Sequence, residues 1–80
     1  MQISLSNGKT FEIHWIDCTP AGNLLLEMTD ERLLSVIAAD FEGVESIEDT
    51  ETGRKFDGYT NLIWIGRPRK DGTVQITFVR

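Results

Sequence analysis

The chain has 80 residues, 40% of them hydrophobic, and a formal net charge of −5. A chain of this size buries only about 60–65% of its unfolded surface, so residues 1–80 form one domain with one modest core. The charge disfavours nonspecific binding to nucleic acid or anionic membranes, and the composition disfavours disorder.

Met1, Ile3 and Leu5 alternate with polar residues, as do Phe11, Ile13 and Trp15, with Asn7-Gly8 between the two rows. This pattern predicts a hairpin. A two-residue turn at Asn7-Gly8 would set Ile3 opposite Glu12 and split the apolar rows between faces. A three-residue loop, Ser6-Asn7-Gly8, pairs Ile3 with Phe11 and keeps the rows together, with Gly8 left-handed. Trp15 shares the face of Ile13 and is expected in the core. Asp17 to Asn23, with Pro20 and Gly22, reads as a loop, and Leu24 to Met28 as a buried strand.

Thr29 is the expected N-cap of a helix over about residues 30–41, with Asp30 and Glu31 in its first turn. Leu33, Leu34, Ile37, Ala38 and Phe41 then fall on one apolar stripe, and Gly43 marks the stop. Val44 to Thr50 reads as an acidic strand, a solvated edge whose charges discourage sheet-to-sheet aggregation. Arg54 to Ile65 reads as one strand bent at Gly58, Gly66 to Gly72 as a loop, and Val74, Ile76 and Phe78 as the apolar row of a last strand. The expected fold is α+β: an antiparallel sheet or small partly open barrel of about five to seven strands, with one helix packed on it.

Chemistry is sparse. One histidine, His14, and one cysteine, Cys18, supply neither a usual zinc set nor an activated nucleophile. The glycines form no phosphate-binding loop, and the acidic spacing is not that of a calcium loop. No catalytic residue, cofactor or metal is expected, and the chain does not read as an enzyme.

Charge is the more informative signal. Of 13 carboxylates, Asp40, Glu42, Glu45, Glu48, Asp49 and Glu51 lie in a run that no base interrupts. Arg67, Arg69 and Lys70 cluster elsewhere. Glu42, Glu45, Glu48, Asp49 and Glu51 are candidate contacts for a basic partner, or for a protein groove that otherwise holds nucleic acid. Arg67, Arg69 and Lys70 are candidates for pairing with the acidic face of a second copy. Tyr59 and Trp64 lie in a strand apolar on both sides, which one helix does not cover, so they are the candidate interface anchors.

Three stretches carry a resemblance: Ile3-Ser4-Leu5-Ser6-Asn7-Gly8-Lys9-Thr10-Phe11, Phe56-Asp57-Gly58-Tyr59-Thr60-Asn61-Leu62 and Asp71-Gly72-Thr73-Val74-Gln75-Ile76-Thr77. Together they resemble a loose group of small proteins encoded by phages and prophages of gut bacteria, often near tail and baseplate genes. The resemblance implies a phage-encoded origin and assigns no site. Taken with the charge pattern and the sparse chemistry, it makes a non-enzymatic interaction module the expected function: a structural, assembly or adaptor protein of a phage particle. Its partner would be a protein or a second copy, with no nucleic acid or membrane bound. The alternative is an acidic anti-defence inhibitor that blocks a host nuclease or immune sensor. The start Met1-Gln2-Ile3-Ser4 has neither a basic nor an apolar leader, so a cytoplasmic place in the bacterial host, or incorporation in a virion, is expected.

Overall fold

A computed structural model describes residues 1–59, 61–66 and 69–80, the side chains of 61–64 excepted. The strands are β1 (Gln2–Leu5), β2 (Thr10–Glu12), β3 (Trp15–Cys18), β4 (Leu24–Thr29), β5 (Ser46–Asp49), β6 (Lys55–Asp57), β7 (Asn61–Ile65) and β8 (Thr73–Val79), with one helix, α1 (Leu34–Asp40). They form two open four-stranded antiparallel sheets, ordered β2-β1-β5-β6 and β3-β4-β8-β7. The fold is therefore mostly β, with eight strands among the described residues rather than five to seven in a single sheet or partly open barrel.

The extra strands arise because two long predicted strands each change sheet. Ile13 donates its N–H to the Met1 carbonyl in the first sheet, and His14 donates to the Glu27 carbonyl in the second. The chain thus crosses over between adjacent residues, and the inward phase slips by one. Ile13 and Ile16 are buried, while Trp15, expected in the core, is 36% exposed. The bend at Gly58 is likewise a crossing: its N–H still bonds the Glu45 carbonyl, while β7 pairs with β8. Gly58 has φ +82°, a left-handed conformation that glycine adopts without a Cβ clash.

The first hairpin follows its pattern. Ile3 faces Phe11, Leu5 donates to the Lys9 carbonyl at 2.8 Å, and Gly8 has φ +90°. The acidic strand does not lie at an edge: β5 sits between β1 and β6. Its Ile47 is wholly buried, so the core, not aggregation control, fixes its place.

The inner faces of both sheets share one core, into which α1 sends a single fully buried residue, Ile37. Phe41, just past the helix, stacks on Phe11 and tilts against Phe78, each at 5.4 Å, and so ties both sheets together. The helix starts later than expected. Thr29 remains in β4 opposite Thr73, and Asp30 donates its N–H to the Gly72 carbonyl. The N-cap is Leu33, which has no capping side chain. The Asp30 carboxylate, expected to complement the helix dipole, is instead bound by Arg32.

Candidate interaction surface

The late start leaves the first turn of α1 beyond the core. Leu33 is 73% exposed, Val36 42% and Leu34 38%. Leu33 and Leu34, expected on the buried stripe, are therefore surface residues. Leu33 and Val36 are three apart, so they neighbour each other on the helix surface.

An ion network braces this turn. The Arg32 guanidinium donates to both oxygens of Asp30, its Nη2 reaching Oδ2 at 2.7 Å, and its Nη1 lies 2.7 Å from Oδ2 of Asp40. Lys9 Nζ meets the other Asp40 oxygen at 2.9 Å, and the Asn7 amide donates to the Asp40 carbonyl. Arg32 and Lys9 thus join the approach to the helix, its last residue and the first hairpin turn. The Arg32 hydrogen bonds hold Asp30 below the usual carboxylate range against the opposing effect of burial. The Lys9 hydrogen bond, with help from Arg32, does the same for Asp40. Between two carboxylates, Arg32 is itself pushed up.

The acidic run therefore divides. Asp40 is held in the network, and Glu48 lies 3.8 Å from Lys55 on the neighbouring strand. Glu51 lies 3.8 Å from the Met1 amine. Asp49 is buried and caps its own turn, accepting from the Glu51 N–H and the Thr52 hydroxyl, each at 3.0 Å. Burial pushes Asp49 up, but the hydrogen bonds from residues 51 and 52 outweigh it and hold the carboxyl below its ordinary value. Glu42 and Glu45 are exposed, with no cation in ion-pair range among the described residues. These two follow the helix directly.

The other candidates lie apart. Tyr59 is 3% exposed, its hydroxyl 3.2 Å from Cys18 Sγ, with the Arg80 guanidinium 4.8 Å over its ring. The Cys18 hydrogen bond and burial push the phenol up. Arg69 reaches Glu27 of its own chain at 3.6 Å, Lys70 is exposed at the loop tip, and Arg67 and the side chain of Trp64 lie outside the described residues. His14, exposed, shares a 2.7 Å hydrogen bond with the Thr29 hydroxyl beside an open groove of about 310 Å³. Among the described residues no three His, Cys, Asp or Glu side chains converge as metal ligands, and no helix is long and apolar enough to cross a membrane.

Sequence reasoning missed Lys9 and Arg32 as the partners of Asp40. Arg32 carried a local signal, since a side chain two residues after an aspartate can fold back on it when no helix forms there. Lys9 carried none, being 31 positions from its partner. Comparison with protein-family models, curated proteins and solved structures finds no match.

Proposed function

We propose that this protein is a non-enzymatic protein–protein interaction module, and that it serves a phage particle as a small adaptor or assembly subunit. The reading rests on one observation: Leu33, Leu34 and Val36 stand exposed on a braced helical turn, followed directly by Glu42 and Glu45. A rigid apolar patch beside uncompensated carboxylates suits a partner offering an apolar anchor with a basic rim, because burial supplies affinity and charge supplies orientation. The phage setting comes from the resemblance of the Asn7-Gly8 hairpin, the Phe56-to-Leu62 stretch and the Asp71-to-Thr77 stretch.

A photo-crosslinking amino acid at position 33, in phage-producing cells, tests this. One dominant adduct with a particle protein or a second copy is expected, absent when the probe sits at position 52, in the exposed turn at the end of β5 away from α1. Identical products from both positions would sink the proposal.

The exposure of Glu42 and Glu45 also favours a second reading, an acidic inhibitor of a host nuclease or sensor. That reading requires binding that weakens steeply with salt and is lost when both glutamates become lysine. Salt-indifferent binding rules it out.

A further inference from the structure

We infer, on the reading of the first turn of α1 as a protein contact, that this turn docks a basic, amphipathic segment of a different protein rather than a second copy of this chain. Leu33, Leu34 and Val36 are its exposed apolar centre. Carboxylates flank that centre on both sides along the chain: Glu31 lies two residues before Leu33, and Glu42 and Glu45 follow the helix. All three are exposed, with no cation in ion-pair range among the described residues. An apolar centre flanked by unmatched charge of one sign fits a segment with an aliphatic or aromatic anchor among lysines or arginines. The anchor gains by burial, and each base gains a partner.

The described residues of this chain do not supply such a segment. The chain has 8 lysines and arginines, of which Arg67 lies outside the described residues. Lys9 and Arg32 are held by Asp30 and Asp40, Arg54 by Asp17, Lys55 by Glu48 and Arg69 by Glu27. Arg80 lies over the ring of the buried Tyr59. Among the described residues that leaves Lys70, in a loop where residues 69–72 include no apolar side chain to serve as the anchor. A second copy would have to open one of its own pairs for each new pair with Glu31, Glu42 or Glu45, an exchange with little net gain.

Symmetry adds a second obstacle. A twofold contact presents the same patch from both copies, so Glu31, Glu42 and Glu45 of each would meet at one interface, where like charges repel. An anionic bilayer is opposed by the same carboxylates. A foreign basic segment meets neither cost, and it brings the cations that this chain has already committed within its own fold.

Two measurements on the intact chain test this. Light scattering on a sizing column, from micromolar to millimolar concentration, is expected to return a monomer. A dimer that Leu33→Ser disperses would overturn the inference and leave the interaction-module reading standing. The photo-crosslinked adduct from position 33 is then mapped to its peptide, and that peptide, made synthetically, is titrated into the chain by NMR. The expected peptide belongs to another protein and carries an apolar residue among lysines or arginines. It should give saturable shifts at amides of α1, and Glu42→Lys with Glu45→Lys should weaken its binding at least about tenfold. Reversing the peptide's lysines to glutamate should restore binding to that variant, a rescue that a merely structural role of the two glutamates would not give. An adduct with a second copy or with lipid, a peptide without basic residues, or binding indifferent to the double variant would each overturn the inference. Absence of any specific adduct would sink the protein-contact reading with it.

Discussion

Asp40 and Glu45 belong to the same acidic run, yet they have opposite roles. Asp40 is held between Lys9 and Arg32, its side chain 14% exposed, and helps to fix where the helix ends. Glu45 and its neighbour Glu42 are exposed, with no cation in reach among the described residues. Charge density along a sequence is thus a poor guide to charge at a surface. Of six consecutive carboxylates, Asp40, Glu48, Asp49 and Glu51 have partners inside the fold, so the field available to a partner comes chiefly from two.

The contrast can be broken most strongly through the shared partner of the held carboxylates. Arg32→Met should remove about 1–2 kcal/mol of stability, because it leaves Asp30 and Asp40 poorly compensated; denaturant midpoints would measure it. Arg32 is itself 44% exposed, which keeps the loss below that of a fully buried pair. An unchanged midpoint would mean that the network does not brace the helix.

Acid sharpens the comparison further. Asp30 and Asp40 have folded pKa values below the ordinary 3.8, so their ionised forms favour the folded state above that pH. This contribution should fade as pH falls below about 4 and through the folded values, and Asp40→Asn should flatten the decline. Urea midpoints at successive pH values are the measurement.

The smallest effect on stability belongs to the free pair. Glu42→Lys with Glu45→Lys should shift the unfolding free energy by no more than about 0.5 kcal/mol while abolishing any salt-sensitive partner binding. A large loss of stability would show that these two glutamates also build the fold. Leu33→Ser should likewise leave stability nearly unchanged and reduce partner capture, in keeping with its 73% exposure.

The legible parts of the fold were those fixed by short-range rules. The Ser6-Asn7-Gly8 loop follows from register alone, since only one pairing keeps Ile3 and Phe11 on the buried face. The crossing at Ile13-His14 was hidden because Phe11, Ile13 and Trp15 continue one alternation through it, with no glycine or proline to mark the break. Gly58 did mark its crossing, but a glycine in a strand signals a bend without saying which sheet the chain enters next. Thr29-Asp30-Glu31 has the chemistry of a helix start, and it lost to long-range pairing: Thr29 is opposite Thr73, and Asp30 is bonded to Gly72. The acidic candidates were visible as a group, but which of them remain free depended on Lys9, Arg32 and Lys55, whose approach is set by tertiary structure. Trp15 was read as core because its phase was counted from Ile13, on the other side of the crossing.

The strand orders also set a schedule for synthesis. In the first sheet β1 lies between β2 and β5, and in the second β4 lies between β3 and β8. Each early hairpin therefore emerges with one flank bare and must wait for a distant segment, Ser46–Asp49 for β1 and Thr73–Val79 for β4. Such long-range closure is slow and leaves apolar strand faces open meanwhile. A ribosome that pauses before residue 73 would hold a chain with Leu24, Leu26 and Met28 uncovered. That face of the nascent chain thus stays open to chaperones and proteases until β8 is made.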